Sequence, residues 1–262
     1  MSSPLNRRDL KKIFIKLGIK PKDKLQVSSN LLRILSTKKN RLKPQEIINS
    51  LIELVTPKGT LFFPTFNWGF CKGYAFNYLK TKSLTGSLGN LTLKRKDFLR
   101  SVNPIYSFSI FGKDKQKISK MSHKSCFGLN SPFGFLIKNG GKNLFIDLDY
   151  KSALTYAHVA EETVGVNYRY IKTFNGLYYD RKNKKRKASY KMYVRKLKVV
   201  KLTLVHKDFD KILKRNKALK KINFKGHQFS VIDIKKTYML MVDDISKKKG
   251  MVYPVLYKNL WN

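Results

Sequence analysis

The order of elements along the chain predicts an α/β protein, a layered sandwich on a central mixed sheet. Three observations carry this reading. Asn6–Leu17 and Gln45–Val55 have the apolar spacing of amphipathic helices, Thr60–Phe63 is a continuous apolar run of the kind found in strands covered on both faces, and helical and extended patterns alternate through the chain. In the first helix Leu10, Ile13, Phe14 and Leu17 share a face and Gly18 stops it. Lys24–Val27 reads as a short strand entering Ser28, Ser29 and Asn30, and Leu31–Leu35 starts a helix. Ile47, Ile48, Leu51, Ile52 and Val55 form the apolar face of the next helix, closed by Thr56-Pro57-Lys58-Gly59. Ile105–Ile110 and Asn143–Leu148 are further strands, Lys211–Leu219 a helix, and Tyr238–Val242 and Val252–Leu256 late strands. The basic run Arg181–Lys187 lies between two strand-like segments and reads as a charged hairpin tip, with a dedicated anion site as the alternative.

Composition bounds the function classes. The chain has 262 residues, 42% hydrophobic and 13% aromatic, enough for one large or two small cores, which argues against disorder. No apolar run approaches the roughly 20 residues of a membrane helix, and the N-terminus lacks a signal core, so a soluble, cytoplasmic protein without membrane insertion is expected. Cys71 and Cys126 are two and far apart, which suggests reduced thiols rather than a disulfide framework. The formal net charge is +40, a balance that points to anionic partners. Part of the excess is assigned to A/T-rich codons, because Lys greatly outnumbers Arg and Asn and Ile are abundant. A basic nucleic-acid-binding protein is one function class to weigh, but no helix-turn-helix, zinc or aromatic RNA-binding signature accompanies the charge.

The chemistry concentrates in Thr155-Tyr-Ala-His158-Val-Ala-Glu161-Glu162, directly after the apolar segment Leu144–Asp149 at a sheet edge. On a helix, His158 and Glu161 share a face at i, i+3. An imidazole beside a carboxylate is the arrangement of a general base with its orienting acid, and equally of a structural hydrogen bond. Val27-Ser28-Ser29-Asn30 reads as a strand-to-helix junction whose free N–H groups suit an anion, or as a plain N-cap. His123, His206 and His227 are scattered among lysines without partners at ligand spacing, so no metal site is expected. Gly86–Gly89 is too sparse for a phosphate loop, and Ser131–Gly134 reads as a turn.

Five ordered segments raise the functional reading. Gly59-Thr-Leu-Phe-Phe-Pro64-Thr65, then Thr81-Lys-Ser83 with Gly86-Ser-Leu88-Gly89, then Arg100-Ser101-Val-Asn-Pro104 with Ser107, then Ser131-Pro132, then His158-Val-Ala-Glu161 together resemble the aminoglycoside 3-N-acetyltransferase family, including its relatives in surface-polysaccharide pathways. The resemblance implies a non-GNAT acetyltransferase fold over one domain, residues 1–262, with a motif-bearing core at 1–175 and a C-terminal lobe with the basic hairpin at 176–262; the boundary falls near Thr173–Gly176. It implies acetyl-CoA as donor and direct transfer to an amine, with His158 as base and Glu161 as its partner. Ser28, Ser29, Asn30, Arg100, Ser101 and Ser107 are implied cofactor contacts, Trp68 an implied pocket wall, and Thr65 and Asp149, short polar groups at strand ends, are candidate acceptor-pocket residues by position. The resistance enzymes commonly carry His where Asn103 stands. Because a +40 protein repels polycationic aminoglycosides and steers anions, the expected acceptor is a phosphate-bearing, nucleotide-linked amino sugar of surface-glycan synthesis, with aminoglycosides as the alternative.

Overall fold

The computed structural model describes residues 4–36, 42–203 and 207–257. Helix α1 (Arg7–Lys16) is capped by Asn6, whose side chain accepts from the Asp9 N–H while the Asp9 carboxylate accepts the Asn6 N–H. Then come β1 (Lys24–Ser29), the single turn α2 (Leu32–Leu35), α3 (Pro44–Val55) with proline at its start, and β2 (Thr60–Pro64). The middle of the chain forms β3 (Phe76–Asn77), α4 (Ser87–Leu93), β4 (Leu99–Arg100), β5 (Phe108–Gly112), α5 (Lys115–Ser119), α6 (Pro132–Lys138), β6 (Lys142–Ile146) and α7 (Tyr156–Val164). The last third forms β7 (Arg169–Tyr179), β8 (Lys185–Arg195), β9 (Val200–Thr203), α8 (Phe209–Arg215), β10 (Leu219–Phe224), β11 (His227–Asp233), α9 (Ile234–Ser246) and β12 (Val255–Tyr257).

The predicted mixed sheet has seven strands in the order β10-β11-β6-β1-β2-β5-β4. The inner trio β6, β1 and β2 is parallel, and the flanking strands run antiparallel. Alternation along each strand divides the core into layers. Leu25, Val27, Leu61, Phe63, Leu144 and Ile146 pack with Leu10, Phe14, Ile47 and Leu51 of α1 and α3. Phe62 and Phe145, from the opposite face, pack with residues of α6, α7 and α9. A smaller sheet, β3-β7-β8, places Tyr178, Tyr190 and Tyr193 in the core on that second side.

Several expectations are corrected. Tyr238–Val242 is not a strand but part of α9. The Asp233 side chain accepts the Lys236 N–H and starts a helix whose buried residues Ile234, Thr237, Met241 and Asp244 recur at helical spacing; a five-residue apolar run cannot reveal that period. The strand expected at Ile105 begins at Phe108, because the side-chain oxygen of Asn103 accepts the N–H groups of Ile105 and Tyr106 and holds them in a turn. Leu219 opens β10 rather than closing a helix, after Lys217 in a left-handed conformation. β6 lies inside the sheet, not at its edge, because the β10–β11 hairpin adds two strands beyond it. That hairpin turns through Lys225 and Gly226, both at positive φ, as a two-residue turn requires. The C-terminal third contributes β10 and β11 to the main sheet, and Thr173–Gly176 lies within the unbroken β7–β8 ladder. The basic run spans the end of that ladder, with the turn at Asp180–Lys184 held by the Asp180 carboxylate.

Candidate active site

The chain leaves β1 toward β2 on one side and returns from β6 on the other, so strand order reverses at β1. Open α/β sheets form a crevice outside the carboxyl ends of the strands at such a point. A cavity of about 370 Å³ lies there. Its polar lining comes from Gln26, Ser28 and Ser29 of β1 and from Thr85, Ser152 and Thr155; Phe66, Trp68, Leu88, Tyr106 and Leu148 give the apolar surface, and His158 completes it. Gln26 is buried, and the Tyr156 hydroxyl donates to its side-chain oxygen at 2.7 Å. Burial pushes the Tyr156 phenol well up, so it remains a donor, and Gln26 Nε2 keeps only a 3.4 Å contact with Ser28 Oγ.

His158 and Glu161 are brought together by α7. Gly165, left-handed at φ 72°, terminates that helix. His158 Nδ1 is 2.9 Å from Glu161 Oε2, with the imidazole 31% exposed and the carboxylate fully buried. A residue without any motif joins them. The Nε of Arg169, on the first residue of β7, is 2.8 Å from the same carboxylate oxygen, and one terminal nitrogen is 3.2 Å from His158 Nδ1. Phe127 packs on the imidazole, with ring centroids 5.2 Å apart. Among the described residues no hydrogen bond engages Nε2, which leaves it as the ring nitrogen available for proton transfer. Next in sequence, Glu162 Oε1 accepts from Ser125 Oγ at 2.6 Å, and burial raises its pKa.

The predicted residues divide sharply. Ser28, Ser29, Trp68 and His158 share the cavity, with Glu161 behind the histidine. Arg100, Ser101, Ser107 and Thr65 do not line it; they form a buried brace. Arg100 donates to Ser107 Oγ, to the Thr81 carbonyl and to the Thr65 carbonyl, and its guanidinium lies 4.6 Å from the Phe76 ring centroid. Ser101 Oγ accepts the Phe108 N–H, and the Thr65 and Ser107 hydroxyls pair at 2.9 Å. Asn30 and Asp149 sit on exposed turns, where each side chain accepts a backbone N–H two residues on. The anion-binding helix expected after Asn30 is a four-residue turn without a side-chain cap, too short to build a terminal dipole. Asn103 is fully buried in its own turn, so its identity does not report on the acceptor. Ser131 caps α6 instead of forming an isolated turn. His227 pairs with Asp147 at 3.0 Å, His123 is held by the Ser125 carbonyl, and His206 lies outside the described residues. No cluster of three metal-ligating side chains occurs among the described residues, and no helix there is long and apolar enough to cross a membrane. Cys71 and Cys126 are free, with burial pushing the Cys71 thiol up to about 11.

The family pattern for aminoglycoside 3-N-acetyltransferases matches residues 32–245. The chain belongs to this family. It is therefore an acyltransferase that acts on a small molecule, and acetyl-CoA is its acetyl donor. Solved structures of the family share the fold. Aminoglycoside acetyltransferase AAC(3)-Xa is 16% identical, with 93% of each chain covered and a TM-score of 0.78. AAC-IIIb bound to coenzyme A is 17% identical over 94% of this chain and 98% of that one, at 0.76. AAC-VIa bound to sisomicin is 16% identical over 94% and 98%, also at 0.76. No curated protein sequence matches the chain. The family match overturns the expected nucleotide-linked amino sugar of glycan synthesis, since the family is that of aminoglycoside 3-N-acetyltransferases and AAC(3)-Xa and AAC-VIa are aminoglycoside enzymes. Net charge misled because it describes the whole surface, whereas the cavity lining contains no lysine or arginine. The lining does fit the acetyl-pantetheine end of acetyl-CoA. That arm is a largely apolar chain with amides along it, and the cavity combines rings with the hydroxyls of Ser28, Ser29 and Thr85 and the spare Gln26 donor.

Proposed function

We propose that this acetyltransferase N-acetylates an aminoglycoside, at the 3-amino group that gives the family its name, with His158 as general base. The observation that carries this reading is the His158–Glu161 pair at 2.9 Å on the wall of a cavity suited to the acetyl-pantetheine arm. The donor supplies a thioester carbonyl activated toward amines. His158 Nε2 removes the proton from the attacking nitrogen as the C–N bond forms and the C–S bond breaks, and the proton passes on to the departing sulfur. Glu161 accepts a hydrogen bond from the Nδ1–H, fixes the tautomer that leaves Nε2 free, and stabilises the imidazolium once formed. Gln26 and Ser28 hold the donor's polar groups, while Trp68, Tyr106 and Leu88 exclude water from the arm.

The direct test is release of free thiol from acetyl-CoA with a panel of aminoglycosides, sisomicin and gentamicin among them. Turnover with product acetylated at the 3-amino group supports the assignment. A folded protein that binds coenzyme A yet acetylates no aminoglycoside refutes it.

A further inference from the structure

His158 Nδ1 has two neighbours of opposite chemistry. Glu161 Oε2, an acceptor, is 2.9 Å away, and a terminal nitrogen of Arg169, which can only donate, is 3.2 Å away. A fully buried carboxylate beside an imidazole, with no cation to offset it, favours the imidazolium, which has no lone pair for an amine proton. Arg169 changes this balance, because its Nε lies 2.8 Å from the same oxygen and the carboxylate–guanidinium pair is neutral overall.

We propose that Arg169 is the positioning residue of the base: it neutralises Glu161 and holds it against Nδ1, so that His158 keeps a free lone pair on Nε2 when the acceptor arrives. This rests on His158 being the base of the proposed reaction. Arg169 is anchored independently of the histidine, with only 5% of its side chain exposed and Nη1 donating to the Tyr193 carbonyl at 3.0 Å. The other titratable groups around the pair are Tyr168 just before β7, which is hydrogen-bonded to Glu161, Tyr193 on β8 and Glu162 on α7. Burial pushes both tyrosines up, so they remain neutral phenols, and the Tyr193 hydroxyl donates to the Val166 carbonyl at 2.5 Å. Glu162 is engaged by Ser125. Glu161 and Arg169 are thus the charges in direct contact with the ring.

The chain has four histidines, so imidazole NMR resolves His158 directly, with H158N supplying the assignment. In R169M the titration of His158 moves to higher pH by about 1–3 units, because the buried carboxylate is no longer neutralised. In E161Q it moves the opposite way, since the guanidinium then faces the ring alone. The double variant returns toward wild type, and R169K, which keeps a cation, stays closest to it. The pH–rate profile of acetyl transfer follows the same displacements. A folded R169M with an unmoved His158 titration overturns the proposal. If R169M does not fold, E161Q decides: an unmoved or raised titration is equally fatal. The NMR readings need no substrate, so absence of aminoglycoside acetylation by the wild-type protein would sink the proposed function while leaving this inference to stand or fall separately.

Discussion

Arg100→Ala tests whether the Arg100-Ser101…Ser107 cluster is a brace or a cofactor site. In the structure the guanidinium is buried, and that burial pulls its pKa down to about 10, still protonated at neutral pH. It donates to the Thr81 carbonyl at 2.6 Å, Ser107 Oγ at 3.0 Å and the Thr65 carbonyl at 3.2 Å, and stacks over Phe76. Hydrogen bonds from a charged donor are worth about 1.5–3 kcal/mol each and are not additive. Truncation removes them, leaves the Thr81 carbonyl without this donor and opens space beside Phe76, so the expected loss is about 3–5 kcal/mol. For a chain of this size that lowers Tm by roughly 6–20 °C, a large part of an ordinary 5–15 kcal/mol stability. Differential scanning fluorimetry gives the Tm, and calorimetric titration at a temperature where the variant is folded gives coenzyme A affinity. Brace logic requires a large Tm loss with affinity retained, and an intermediate Tm for Arg100→Lys, which keeps the charge but loses the planar fork. An Arg100→Ala protein with wild-type Tm and lost coenzyme A binding would refute the reasoning and restore the role that the motif suggests.

Other perturbations separate the roles around the cavity. His158→Ala and His158→Asn are expected to lower kcat by about 10²–10⁴-fold while coenzyme A affinity by calorimetry is retained; near-normal turnover in a folded variant removes His158 from the mechanism. Gly89→Ala places a Cβ 2.3 Å from the Pro64 carbonyl oxygen, so α4 must shift from the end of β2. Both Tm and coenzyme A affinity should fall, and an unaffected variant would show that this wall is pliant. Glu162→Gln should stabilise the protein at neutral pH. Burial raises the folded-state pKa of Glu162, so its ionisation opposes folding as pH rises through the unfolded value and on to the folded one, and the glutamine escapes that penalty while still accepting from Ser125. The stability difference from wild type should vanish at acid pH, and equal stabilities throughout would show that the carboxyl pays no desolvation cost.

Local regularity made part of this molecule legible. α1, α3, β1 and β2 follow from spacing within single elements, and the His158–Glu161 pair needs nothing beyond a helical turn. What the sequence hid depends on chain reversal. Arg169 reaches Glu161 because Gly165 ends α7 and the chain doubles back into β7, and no periodicity forecasts that return. The β10–β11 hairpin was obscured by exposed lysines such as Lys220 and Lys221, although Lys225-Gly226 carries a turn signal. Arg100, Ser101 and Ser107 were visible as a cluster, yet residue order does not show which way a side chain faces. Theirs bond one another and the ends of neighbouring loops, and none of them lines the cavity.

The charge of the chain illustrates the limit of a global quantity. A net +40 sets a long-range field, but at physiological ionic strength that field decays over about 8 Å, and what a site accepts is decided by the groups that touch it. The cavity lining offers hydroxyls, an amide, aromatic rings and one imidazole, with no lysine, arginine, aspartate or glutamate among them. His158, the proposed base, stands beside an arginine–glutamate pair whose charges offset each other. Surface lysines therefore govern how fast a charged partner approaches, whereas the transfer chemistry is built from a locally neutral set of groups. The proposed acceptor rests on that set and on the family to which the chain belongs, not on the surplus of lysine.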